Sequence, residues 1–186
     1  MDIPEELRKA AAFHGHLCPG LTIGYRASRA AMERMGLARA YDEELVCVVE
    51  NDSCSVDAVQ FLAGCTFGKG NLVFEDHGKQ VFTFASRRRP GKALRVSLKA
   101  GAIPPPGGDL DPAARREEAL RILITAPLED LFFVDEIDFE LPGQARIHQS
   151  VLCDNCGEPT METRIVESGG RRLCIPCSRG WNPPPR

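Results

Sequence analysis

The chain has 186 residues, 43% hydrophobic and 26% charged, which suits one domain of ordinary size with room for a small second one. No apolar run approaches the roughly 18 residues of a membrane span, and residues 1–15 lack the apolar stretch of a signal peptide, so the expectation is a cytoplasmic protein without a membrane partner. The net charge is −3; residues 153–186 hold five Arg against four acidic residues, so residues 1–152 carry the remaining −4, and neither part has the basic excess that argues for nucleic acid.

Residues 4–13 can form a short helix, with Pro4 acceptable in its first turn. A longer helix begins at Pro19, with Cys18 as its N-cap and Gly36 as its stop. Leu21, Tyr25, Ser28, Met32 and Met35 recur at helical spacing and share one face. Gly20, Gly24, Ala27 and Ala31 form an adjacent face of small residues, open to the close approach of another backbone. "ELVCVVEN" at 44–51 reads as a buried strand and "DSCSVDAVQFLAG" at 52–64 as a helix capped by Asp52 or Ser53 and ended by Gly64.

"LVFED" at 72–76, "KQVFTFA" at 79–85 and "KALRVSL" at 92–98 alternate and are separated by turn residues, the pattern of an antiparallel meander. "RRRPGK" at 87–92 reads as a solvated turn. After a proline-rich loop at 102–112, Asp111-Pro112 starts a helix whose apolar face holds Leu120, Leu123 and Ile124, and Pro127 ends it. "LFFVDEIDFELP" at 131–142 is a further strand, and "NPPPR" a low-complexity tail. This order predicts an α+β core domain over 1–150, helices packed on an antiparallel sheet.

Four of the eight cysteines crowd into the last 34 residues as C-x2-C-x17-C-x2-C: Cys153, Cys156, Cys174 and Cys177. That spacing fits a structural zinc site in which two knuckles surround a tetrahedral ion; two dithiols or a disulfide pair are the alternative. The stretch between the knuckles can turn at Ser168-Gly169-Gly170 into a hairpin. So short a segment cannot bury enough core alone, so residues 151–186 are expected to be a treble-clef or zinc-ribbon-like domain stabilised by its metal.

The other cysteines are Cys18, Cys47, Cys54 and Cys65. "FHGHLCPG" at 13–20 places His14, His16 and Cys18 at alternate positions just before a helix start, where a thiol pKa should fall. In extended chain the three would share a face. Cys54 has a similar setting at the next helix start, with Asp57 as a candidate for orienting a ligand. Cys65 lies eleven residues further on, roughly 16 Å along a helix, too far to join Cys54 on one ion. The expected core centre is therefore His16, Cys18 and Cys54 around a transition ion, with His14 nearby. Ligation would leave an open position for water or substrate; a nucleophilic or redox role for Cys18 is the other possibility. Cys47, His77 and His148 read as structural. "GCTFGKGN" at 64–71 falls short of a P-loop, and is either a β-turn or an anion site using Lys69.

"FHGHLCPGLTIGYRA", "DSCSVDAVQFLAGCTFGKGNL" and the closing "CDNCGEPTMETRI…LCIPC" resemble the FmdE family, which takes its name from a component of formylmethanofuran dehydrogenase. "CDNCGE" and "LCIPC" also look like the zinc finger of DksA/TraR-type proteins. The resemblance implies an α+β core, a C-terminal zinc domain and a homodimer. It draws attention to His14, His16, Cys18, Cys54, Asp57, Cys65, Gly68 and Lys69. It further implies an accessory or small stand-alone enzyme linked to molybdenum- or tungsten-dependent redox metabolism, with a redox enzyme as partner. A zinc-finger regulator that binds nucleic acid or RNA polymerase is the alternative.

Overall fold

The computed structural model describes residues 2–105 and 111–181; part of the proline-rich loop and the "NPPPR" tail lie outside them. The chain divides into two units, Met1–Ala145 and Arg146–Arg186, where the sequence suggests a boundary at 150/151.

In the first unit, Glu5 and Glu6 lie in the first turn of helix α1 (Glu5–His14), where acidic groups suit the helix dipole. Gly15 closes it with a left-handed φ of 98°, and its N–H reaches Ala11 O. Helix α2 (Pro19–Met35) starts behind Cys18, whose extended backbone matches a residue before proline, and ends at left-handed Gly36. Its small face is where helix α3 (Ser55–Ala63) packs. A Cβ on Gly24 would lie 2.0 Å from Ser55 O, and one on Gly20 would lie 3.2 Å from Cys54 Cβ.

Strand β1 (Leu45–Val49) is buried along its whole length, and the five-stranded sheet runs in the order β2-β1-β3-β4-β5. Strands β3 (Val81–Ser86), β4 (Gly91–Leu98) and β5 (Phe132–Phe139) follow β1 in antiparallel pairing. Strand β2 (Leu72–Phe74) departs from the expected meander: it pairs with β1, in parallel, and not with β3. The reason is the connection. Helix α3 carries the chain from β1 across the sheet, and such a crossover returns in the same direction. Buried Asn71 fixes the register, its Nδ2 donating to Leu45 O at 2.8 Å while its own O accepts Cys47 N–H at 2.9 Å.

Ile23, Ala27 and Ala31 of α2 and Val59 and Ala63 of α3 meet Leu45, Cys47, Val49, Phe82 and Phe84 on one sheet face. The last two, two apart on a strand, point the same way. A second cluster joins α1 to this pair of helices through Leu7, Ala10, Leu21, Tyr25, Ala58 and Leu62, with Cys18 among them. Helix α4 (Pro112–Thr125) is capped as expected by Asp111, whose carboxylate accepts Ala113 N–H and Ala114 N–H; it buries Ala119, Leu120 and Leu123. In "RRRPGK" the expectation of a solvated turn fails at Arg87. Its guanidinium is only 19% exposed, pairs with Glu43 at 3.4 Å and donates to Pro142 O at 2.9 Å.

The second unit is two hairpins, β6 (Ser150–Leu152) with β7 (Pro159–Met161) and β8 (Ile165–Ser168) with β9 (Arg171–Cys174). The second turns at Gly169 and Gly170, both at positive φ. Its core consists of the four cysteines and Leu173.

Candidate metal centres

Three helix ends build the core centre. His14 is the last residue of α1, Cys18 caps α2, and Cys54 precedes α3. One donor atom from each of His14, His16, Cys18 and Cys54 lies within 4.8 Å of all the others. The expectation from sequence sets His14 beside the ligand group and not in it. Instead the chain leaves α1 at His14 and turns at Gly15, so that the two imidazoles come together, tilted by 38° with centroids 4.5 Å apart. His14 Nδ1 lies 2.6 Å from Asp57 Oδ2, and Asp57 Oδ1 accepts Gln60 Nε2 at 3.2 Å. Asp57 thus sits where an orienting carboxylate belongs.

Cys18 Sγ accepts Leu21 N–H at 3.4 Å, the cap expected of it, and Thr22 holds the Cys18 carbonyl. Arg116 of α4 donates to Leu17 O and so ties down the loop that carries the donors. The Cys54 thiol is pushed above its ordinary pKa by burial and by the adjacent Cys18 sulfur. A divalent cation among these groups would reverse that balance and hold both sulfurs as thiolates. Two soft sulfurs and two imidazoles are the donor set of zinc and related transition ions, so the residues present fit such an ion.

The turn that presents Cys54 rests on residues that the sequence does not single out. Neither Asp52 nor Ser53 caps α3: Cys54 occupies the cap position without a side-chain bond. Asn51 holds the turn instead, its Oδ1 accepting Ser53 N–H at 3.1 Å, Ser53 Oγ at 2.7 Å and Ser55 Oγ at 3.0 Å. The signal for it is an Asn two residues before a Ser at a strand end, where an Asx turn forms.

Cys65 and Lys69 are not brought to this centre. Cys65 lies beyond the other end of α3, fully buried, donating to Leu45 O at 3.4 Å, and burial pushes its thiol up to about 12. Lys69 Nζ is bonded to the carbonyls of Ala40, Tyr41 and Asp42, so it closes the Gly64–Gly70 loop. Gly68 is in the same loop, with open space around its Cα. Cys47 is buried in the sheet and its thiol is raised well above its ordinary value by desolvation. His77 pairs with Glu50 at 3.1 Å and His148 with Glu162 at 3.3 Å.

In the second unit, Cys153, Cys156, Cys174 and Cys177 bring their sulfurs within 4.8 Å of one another, all buried. Backbone N–H groups of Cys156 and Cys174 hold the Cys153 thiol below its ordinary value, at about 6, and Asn155 Nδ2 donates to Cys177 Sγ at 3.5 Å. Four thiolates complete a tetrahedron and leave no open position, as a structural zinc site requires.

Comparison with known proteins agrees with both halves. Residues 146–180 match the prokaryotic DksA/TraR C4-type zinc finger. A probable S-adenosyl-L-methionine-binding protein of Archaeoglobus fulgidus is 30% identical over 199 aligned positions, covering 94% of this chain and 53% of that protein. A ribosomal RNA small subunit methyltransferase H of Leptothrix cholodnii is 34% identical over 85 positions, covering 40% of this chain and 26% of that one. The chain thus spans about half the length of the first relative and a quarter of the second. A tungsten formylmethanofuran dehydrogenase FmdE-like protein of Syntrophus aciditrophicus shares the fold, with a TM-score of 0.70 and 24% identity over 95% of this chain and 91% of that one. Residues 13–133 match the model described as FmdE, molybdenum formylmethanofuran dehydrogenase operon, and since that is more than half its length, the chain belongs to the FmdE family.

Proposed function

We propose that the core centre binds a transition ion and that the protein works as an accessory or small stand-alone enzyme in molybdenum- or tungsten-dependent redox metabolism of the formylmethanofuran dehydrogenase type. The carrying observation is the convergence of His14, His16, Cys18 and Cys54, two of them from helix N-caps, with the ring of His16 exposed. An ion there would supply Lewis-acid or ligand-exchange chemistry. The chain's own part is to present the sulfurs, to hold the His14 tautomer through Asp57, and to fix the loop through Arg116. The family description and the fold of the S. aciditrophicus protein support the metabolic setting. A homodimer and a redox-enzyme partner complete the reading.

Metal analysis of anaerobically purified protein tests it. Two ions per chain are expected, falling to one in Cys18→Ser or Cys54→Ser; one ion per wild-type chain, retained in both variants, would refute the core centre. Light scattering should give twice the 20.4 kDa chain mass.

The zinc-finger match favours a second reading, a regulator that contacts nucleic acid or RNA polymerase. The near-neutral charge of the C-terminal segment weighs against it. A salt-dependent gel shift at submicromolar protein would bring it forward. The methyl-donor binding named for the A. fulgidus relative enters as a companion proposal, tested by a thermal shift with S-adenosylmethionine.

A further inference from the structure

We infer that the four core donors divide their work: His14, Cys18 and Cys54 hold the ion, and His16 is the exchangeable ligand, whose departure admits a small thiolate from solution. This rests on the metal-binding reading above and reverses the roles expected of the two histidines from their spacing alone.

The surroundings of each donor carry the argument. The His14 side chain is 11% exposed, and its Nδ1 is engaged by the Asp57 carboxylate. That leaves Nε2, 4.0 Å from Cys18 Sγ, as the donor atom facing the sulfurs. Asp57 is itself held by Gln60. Cys18 is 9% exposed and bonded at both its sulfur and its carbonyl. Cys54 is seated against Gly20, where no side chain intervenes.

His16 has none of this. It is exposed, and among the described residues no group hydrogen-bonds to its ring; its ring contact is the tilted one with His14. It follows Gly15, at positive φ, where an added Cβ would meet nothing within 4 Å.

The energetic asymmetry follows. Withdrawing His14 from an ion would either break a charge-assisted hydrogen bond or strand a largely buried ring. Withdrawing His16 breaks no other bond and returns an imidazole to water. Exchange therefore falls on His16, and the vacated position faces solvent. Two thiolates select a soft or borderline ion, and such an ion favours a sulfur donor in the position that opens.

Zinc affinity of the full chain, measured against a chromophoric chelator, separates the roles, with the C-terminal site as internal reference. Asp57→Asn and His14→Ala should weaken the core equivalent roughly 10- to 100-fold. His16→Ala should leave it within a few-fold. Asp57→Asn is the safeguard should His14→Ala fold poorly: the change keeps the side chain's shape, and its metal-free melting temperature should fall by no more than a few degrees. With cobalt(II) in the core site and zinc kept in the C-terminal one, 2-mercaptoethanol should strengthen the sulfur-to-cobalt charge-transfer absorption, at lower concentration in His16→Ala than in wild type. Loss of the ion from His16→Ala as complete as from His14→Ala would overturn the inference. So would a cobalt spectrum that the thiol leaves unchanged in both proteins. A wild-type chain holding one zinc in all would instead remove the metal-centre reading, and this inference with it.

Discussion

Cys54 and Cys65 flank the same nine-residue helix, and the two ends give them different chemistry. At the start, Cys54 meets a second sulfur and two imidazoles, and its raised pKa means that an ion must displace a proton, so core affinity should climb with pH. Beyond the far end, Cys65 is buried in the apolar core and donates to Leu45 O. Its folded value of about 12 stands above the ordinary 9.0. The stability tied to its protonated form is therefore intact below about pH 9 and is lost as the pH rises toward 12. A Cys65→Ala chain should lose less stability over that window than the wild type, measured by denaturant unfolding at a series of pH values. Parallel curves would show that ionisation of Cys65 does not limit alkaline stability.

At the scale of elements, the contact between α2 and α3 sets the core centre. A methyl group at Gly24 would fall 2.0 Å from Ser55 O, and backbone cannot yield as a flexible side chain can. Gly24→Ala should force the helices apart, cost about 1–3 kcal/mol, and weaken the core ion by moving Cys54 away from Cys18. A variant that melts early yet binds metal normally would show that the two helices shift as one piece. Asn71→Ala should remove the clamp between β2 and β1 and cost about 1–3 kcal/mol by breaking the bonds of its buried amide to Leu45 O and Thr66 N–H; the denaturant midpoint reads it directly.

The same elements mark what is legible in the sequence. Both long helices, their caps at Cys18 and Asp111, and the strands at 44–51, 79–85, 92–98 and 131–142 follow from periodicity and from Pro and Gly placement. The partner of β2 does not, because "LVF" has the same alternation beside either neighbour; the α3 crossover and Asn71 decide it. The place of His14 in the donor group is hidden for a related reason, since it depends on a single backbone angle at Gly15. The small-residue face is visible, but not that it is filled from within the chain by α3.

For the whole molecule, the division at Ala145/Arg146 separates a unit with a broad apolar core from one whose core is four sulfurs and a leucine. Their stabilities should therefore depend on different things. Cys174→Ala should abolish folding of Arg146–Arg186, and a strong chelator should do the same to the wild type. The first unit should keep its secondary structure in both cases, and its melting transition in Cys174→Ala, where the core donors are untouched. Circular dichroism with zinc stoichiometry checks this, and a variant that kept full zinc content and normal melting would show that three sulfurs suffice.

The spacing of the donors along the chain has one more consequence. Each C-terminal pair of sulfurs is separated by two residues, so even an unfolded chain can chelate with it. The core donors come from residues 14–18 and from Cys54, with all of α2 and β1 between them. Their pocket exists only once those elements have closed on each other. A C-terminal pair can thus meet an ion before its segment folds, whereas a core ion would be held only by the folded first unit.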